Sequence, residues 1–319
     1  MFYIRGCGKA IPTNSISNDD LASYLDTNDE WITTRTGIKN RRVIEEGTEN
    51  TSSLATIAAS QALENAKMSP EEIDCVIVAT SSPSQPMPST ANLVAQELGI
   101  KGGGFDLNAA CSGFVYALNV AAGFFALKQF QNILLIGADA ISTYIDKNDR
   151  STVILFGDGA GAMVLSATDE EGYGLLASDM GGDSSLVPIL EVIKNGESGN
   201  DPYLVMNGQE VFKVAVRSVE KSIKSTLEKA GLTGKDVNGL LLHQANIRII
   251  DAICERLDID REKAFTNLEH YGNTSAASIP ILLAEVNEMN SLKEKDLLVF
   301  CGFGAGMSWG TCILRWKQP

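Results

Sequence analysis

Short apolar runs alternate along the chain with longer stretches in which apolar residues recur at helical spacing. Cys75–Thr80 (CVIVAT), Ile133–Ile136 (ILLI), Gly239–Leu242 (GLLL) and Leu297–Phe300 (LLVF) read as strands. A strand covered on both faces needs a continuous apolar run, so these four are expected to be buried. Leu54–Asn65 reads as a helix with Thr51 or Ser52 as its N-cap. The alternation predicts an α/β protein with mixed sheets.

The order of elements repeats. In the first half the strand Cys75–Thr80 leads to a helix and then to a glycine-rich strand ending, Phe156–Ala162 (FGDGAGA). In the second half Gly239–Leu242 leads to helices and then to Phe303–Gly306 (FGAG). Two similar halves, 1–170 and 171–319, are therefore expected. No linker composition separates them, so they should share one packed body.

Composition narrows the function. The net charge of −14 opposes binding to nucleic acid or to an anionic lipid surface, so an acidic partner would need a local basic patch. No run of about 18 apolar residues is present, so no membrane span is expected. Met1–Pro12 lacks the apolar core of a secretory signal. Cysteines 7, 75, 111, 254, 301 and 312 lack metal-like CxxC spacing, so no metal is expected, and a reducing cytoplasm fits them.

Few residues are suited to chemistry. In NAACSG (108–113) Cys111 opens the apolar stretch Phe114–Lys128, which predicts a buried helix. A thiol at a helix N-terminus faces the positive end of the dipole, and its pKa is expected to fall. Small neighbours leave room for a substrate, although the segment read alone also suits a buried core cysteine. His243 ends the strand in LLLHQAN, where α/β proteins place their sites. The other histidine, His270, lies in a polar stretch and reads as a surface or structural residue. Asn273 follows a glycine in YGNTSAAS; alone it is a turn residue, with Thr274–Ser275 able to cap the next helix. Gly157–Gly161 lacks the GxGxxG spacing of a dinucleotide loop, so close backbone packing is expected there. The loop Gly302–Gly306 could offer backbone N–H groups to an oxyanion.

Together these pieces resemble the β-ketoacyl-acyl carrier protein synthase III family, within the thiolase fold. The matching segments are DEWITTRTGI (29–38), AACSGF (109–114), DRSTVILFGDGAGA (149–162), NGQEVFKVAV (207–216), HQANIRII (243–250), YGNTSAAS (271–278) and GFGAGMSWG (302–310). The resemblance covers nearly the whole chain, and its histidine and asparagine segments are its specific part. It implies an α/β, thiolase-like fold of two βαβαβαββ halves in five layers, and a homodimer. It implies that Cys111 takes an acyl group from acyl-CoA and that malonyl-acyl carrier protein then loses CO₂ and attacks it. No metal or redox cofactor is implied, since the CoA thioester is a substrate.

The resemblance also assigns roles. His243 and Asn273 would donate hydrogen bonds to the enolate oxygen formed on decarboxylation, and the N–H groups of Cys111 and Ala305 would hold the second oxyanion. Trp31 and Arg150 match residues that sandwich adenine. Thr27, Arg35, Gly208, Phe212 and Asn246 match residues that line the CoA entrance. Lys213 and Arg248, helped by Arg256, match a carrier-protein patch, whereas Lys221 and Lys224 read as an ordinary solvated face. Met87, in QPMPS (85–89), matches a residue that reaches into the acyl pocket of the dimer partner, and Phe303 would also border the pocket. The nearest rival is a thiolase, which needs a second catalytic cysteine; Phe303 fills that place, but Cys301 lies two residues earlier on the same strand face. A relative that transfers the acyl group to a small molecule in secondary metabolism keeps the same motifs. A non-catalytic acyl-binding scaffold would need none of the cysteine, histidine and asparagine.

Overall fold

The computed structural model describes residues 1–193 and 202–318. Strands β1 (Phe2–Ala10), β2 (Cys75–Ala79), β3 (Gly103–Leu107), β4 (Asn132–Asp139) and β5 (Gly159–Ala167) form one sheet in the order β1-β5-β4-β2-β3. Strands β6 (Leu175–Gly182), β7 (Gly239–Leu242), β8 (Leu297–Gly304) and β9 (Ser308–Arg315) form a second, in the order β7-β8-β9-β6. In the first, β2 runs parallel to both neighbours, with Ile77 opposite Phe105 and Leu135. In the second, β7 is parallel to β8, with Leu241 opposite Phe300, and β8 pairs antiparallel with β9. Two short ladders, Ser15–Ser17 with Asn40–Arg42 and Leu190–Ile193 with Tyr203–Met206, lie outside the sheets.

The apolar runs place the helices. These are α1 (Asp29–Thr36), α2 (Thr51–Ala66), α3 (Gly113–Ala126), α4 (Gly208–Lys229), α5 (Ile247–Leu257) and α6 (Ser278–Glu288). Successive strand residues point to opposite faces. Ile77, Leu135, Leu241 and Phe300 share a core with Phe114 and Leu118 of α3 and Ile279 and Leu283 of α6. Their alternates Val76, Val78 and Leu134 pack on Leu54, Ala58 and Ala62 of α2. Leu240, Leu242 and Val299 pack on Val219 and Ile223 of α4 and Ile250 and Ile253 of α5. The result is helix, sheet, helix, sheet, helix, the five layers that the resemblance implies. Helix α3 is apolar on every side because both of its flanks are covered. Each fully buried Phe or Leu there contributes about 1.5–3 kcal/mol.

Two local expectations resolve differently. The N-cap of α2 is Asn50, whose side chain accepts the Ser53 N–H while the Ser53 hydroxyl accepts the Asn50 N–H. Thr51 is not free to cap, because its hydroxyl donates to the Ser82 carbonyl at 2.5 Å. The glycines after Phe156 do serve close packing: a Cβ on Gly161 would lie 2.4 Å from the Ile281 nitrogen of α6.

Candidate active site

The site forms where the chain leaves strand ends between the two sheets. Cys111 lies in a 3₁₀ turn, Ala110–Ser112, between β3 and α3. Ala110 has a left-handed backbone, φ 48°. His243 directly follows β7. Asn273 is held by its backbone: its N–H donates to Leu155 O at 2.8 Å, and its carbonyl accepts the Gly157 N–H at 3.0 Å. Arg41, only 1% exposed, props that segment by donating from Nε and Nη2 to Ile154 O at 3.2 and 2.6 Å. Cys111, His243 and Asn273 all line one cavity of about 440 Å³.

Hydrogen bonds fix how these groups face the cavity. The His243 Nδ1 lies 2.7 Å from Ser278 Oγ at the start of α6. The Gln244 N–H donates to the same oxygen at 3.4 Å, so Ser278 ties both residues to the start of α6. Burial holds the imidazolium down to about 3, so the ring is neutral. Phe303 meets it edge to face at 5.1 Å. The Asn273 Oδ1 accepts the Ser275 N–H at 2.9 Å, leaving the amide NH₂ free to donate. Next to Ser275, the Ala276 N–H donates to Asp139 at 3.1 Å, and the other oxygen of that buried carboxylate gathers the N–H groups of Ser81 and Ser82 at 2.8 and 3.0 Å.

Cys111 departs from expectation. Burial pushes its thiol up, from an ordinary value of 9.0 to about 12, against a hydrogen bond from the Ser275 hydroxyl at 3.3 Å. Helix α3 begins only at Gly113, beyond the cysteine. A helix dipole contributes about 0.3–1 kcal/mol near its terminus, less than one pKa unit, so desolvation prevails. On the other side, Gly304 at the end of β8 approaches closely: a Cβ there would lie 2.6 Å from the Cys111 nitrogen.

Residues 105–184 match the family described as 3-oxoacyl-[acyl-carrier-protein (ACP)] synthase III, and residues 227–316 match that family's C-terminal part. The chain is 46% identical over 314 residues to β-ketoacyl-[acyl-carrier-protein] synthase III of Aquifex aeolicus, covering 98% of this chain and 99% of that protein. The chain belongs to the β-ketoacyl-acyl carrier protein synthase III family. A crystal structure of the 3-oxoacyl-[acyl-carrier-protein] synthase III from Aquifex aeolicus superposes with a TM-score of 0.94 at 45% identity, covering 99% of this chain and 100% of that one. The priming β-ketosynthase of the R1128 polyketide pathway also superposes at 0.94, with 34% identity, over 100% of this chain and 97% of that one. This synthase is thus an acyltransferase that condenses an acyl-CoA with malonyl-acyl carrier protein to initiate fatty acid synthesis. Among the described residues no helix is long and apolar enough to cross a membrane.

The other expected residues of the synthase divide into two groups. Trp31, Arg35, Gly208, Phe212, Asn246, Lys213 and Arg248 line the same cavity as Cys111. Asn246 caps α5 and donates to the Arg35 carbonyl at 3.0 Å, tying α1 to α5. The Arg35 and Arg150 guanidiniums lie 4.6 and 5.1 Å from the Trp31 ring centre, and Arg150 also donates to Asp26 O at 2.5 Å. A purine stacked between Trp31 and Arg150 therefore needs Arg150 to draw back. Thr27, Arg150, Arg256 and Met87 are not on the cavity wall. Arg256 is paired with Glu220 at 2.7 Å, and Met87 is 81% exposed. Cys301 is fully buried among apolar residues with its sulfur accepting from Thr311, while Phe303 lines the cavity, so the second cysteine of a thiolase has no counterpart there. His270 is exposed.

A second, smaller cavity of about 70 Å³ lies behind Cys111. Ala305 borders it with Ile141, Tyr144, Phe156, Leu190 and Leu204, whereas Phe303 stays on the wall of the larger one. Sequence reasoning did not find these apolar residues, nor Asp139, Arg41, Ser275 and Ser278. They are scattered along the chain, and only the fold brings them together.

Proposed function

We propose that this synthase carries its acyl group on Cys111 and works on both half reactions with His243 and Asn273. In the first, a bond forms between the Cys111 sulfur and the acyl carbon, the bond to the CoA sulfur breaks, and the thiol proton ends on the departing CoA sulfur. In the second, malonyl-acyl carrier protein loses CO₂. His243 and the Asn273 amide donate to the enolate oxygen, the new carbon–carbon bond forms, and Cys111 leaves as thiolate. The N–H groups of Cys111 and Ala305 hold the tetrahedral oxyanion. The observation that carries this reading is the convergence of Cys111, His243 and Asn273 on one cavity of about 440 Å³. Thr27, Trp31, Arg35, Arg150, Gly208, Phe212 and Asn246 serve the CoA entrance, with Thr27 and Arg150 at its margin. Lys213 and Arg248 at its mouth receive the acidic carrier protein; the pairing of Arg256 with Glu220 weakens its share.

The working form is a homodimer. Strand β3 is the edge of its sheet, and Phe105, Phe124 and Phe130 cluster beside it while Leu127 is 75% exposed. A second copy of the chain covers that face, and its Met87 enters the small cavity behind Cys111. The cavity's small size and apolar lining suit an acetyl primer with tolerance for butyryl or isobutyryl. Intact-protein mass spectrometry with a panel of acyl-CoAs, followed by peptide mapping, tests the reading. The acyl group should appear on Cys111 and clear on addition of malonyl-acyl carrier protein. Met87→Phe should spare acetyl and cut kcat/KM for four-carbon primers about tenfold. Acylation at Cys301 would overturn the assignment, and an unchanged chain-length profile would remove Met87 from the pocket.

A further inference from the structure

We propose that Ser275 is a further catalytic residue, whose hydroxyl donates a hydrogen bond to the Cys111 sulfur and stabilises the thiolate in both half reactions. The inference rests on the reading of Cys111 as the acyl carrier. The thiolate arises twice: when the thiol gives up its proton to form the acyl–sulfur bond, and when that bond breaks as the new carbon–carbon bond forms. In each case charge develops on one atom, and the group that touches this atom is the Ser275 Oγ, at 3.3 Å.

Three observations set Ser275 apart from a turn serine. Its backbone is left-handed, φ 52°, a conformation uncommon for a residue other than glycine, and here it is buried and not at a helix C-cap. Its hydroxyl does not cap α6, whose N-cap is Ala277 without a side-chain hydrogen bond. Its own N–H orients the Asn273 amide at 2.9 Å, so one residue serves two of the three reacting side chains. The neighbouring Ala276 N–H is anchored on the fully buried Asp139 at 3.1 Å, which holds the turn in place. Against the Cys111 thiolate stand burial first and then the charge of Asp139; the Ser275 hydrogen bond opposes both. The neutral imidazole of His243 adds no positive charge to help.

The test reads thiol chemistry directly. Iodoacetamide alkylation of Cys111, located by peptide mass spectrometry, is followed against pH in the wild type, Ser275→Ala and Ser275→Gly. Single-turnover transfer from acetyl-CoA is measured beside it. Glycine relieves the left-handed strain, so loss of fold and loss of hydroxyl are separated, with thermal melting as the control. Both variants should move the alkylation midpoint to higher pH and slow acetyl transfer roughly 10- to 100-fold, as expected for a hydrogen bond to a charged group. Asn273→Ala, which removes the partner of the Ser275 N–H and keeps the hydroxyl, should leave the alkylation profile where it is. A wild-type profile in both serine variants overturns the proposal, as does an equal shift in Asn273→Ala. If the acyl group maps to another cysteine in the wild type, the reading of Cys111 fails instead, and the alkylation data tell the two apart.

Discussion

Replacing Gly304 by alanine should cripple acyl transfer while leaving the protein folded. The new methyl would lie 2.6 Å from the Cys111 nitrogen, 3.1 Å from its Cβ and 3.2 Å from its Cα. Comfortable contact begins near 3.5 Å, so β8 and the 111 turn must separate by roughly 1 Å. The effect is one of space, because Gly304 is extended (φ −168°, ψ −169°) and alanine adopts that backbone freely. Overpacking of this kind costs about 1–3 kcal/mol of stability. Displacing the Cys111 N–H from the oxyanion adds a kinetic loss of about 2.7–4 kcal/mol, or 10²–10³-fold. The two losses are read separately, by urea unfolding and by rapid-quench transfer from acetyl-CoA. Gly302→Ala is the control: its methyl would meet the Ser112 Cα at 3.0 Å and the Cys111 carbonyl at 3.4 Å, on the side away from the N–H. Should Gly304→Ala transfer acetyl at the wild-type rate, or lose no more than Gly302→Ala, the Cys111 N–H does not hold the oxyanion.

Three further outcomes concern charge. With His243 held down to about 3, kcat/KM should show no inflection from this ring between about pH 5 and 8, whereas an ordinary histidine would titrate there. The unfolded chain takes a proton at His243 near 6.5 and the folded chain only near 3, so stability should fall as pH drops through that window, and His243→Gln should lessen the fall in urea midpoint between pH 7 and 4; an equal fall in both proteins contradicts a buried neutral ring. Reversing Lys213 and Arg248 to glutamate should raise KM for malonyl-acyl carrier protein several times more than KM for acyl-CoA, and most at low salt; equal effects would place both residues on the CoA path alone.

The layers were legible in the sequence because their signals are local. CVIVAT and LLVF are continuous apolar runs, and each became a strand covered on both faces. His243 was legible from its place at a strand end. The ionisation of Cys111 was not: apolar periodicity revealed a helix, but not that the thiol would sit before its first turn and be desolvated from several directions. The N-cap of α2 was missed because the Thr51 hydroxyl is spent on the distant Ser82 carbonyl. Ser275 read as a helix cap for the same reason, since its true partner is Cys111, 164 positions away. Hydrogen bonds across such separations leave no spacing pattern to read.

The unionised resting state of Cys111 bears on the durability of the enzyme. Oxidation by peroxide proceeds through the thiolate, and susceptibility follows thiolate character and exposure. As the proposed acyl carrier, Cys111 must stay reachable from the cavity it lines, so it cannot be shielded by closure. A thiol pushed up to about 12 is protected by protonation instead. On the proposed mechanism its thiolate emerges only within the two half reactions, when substrate or product occupies the place an oxidant would need.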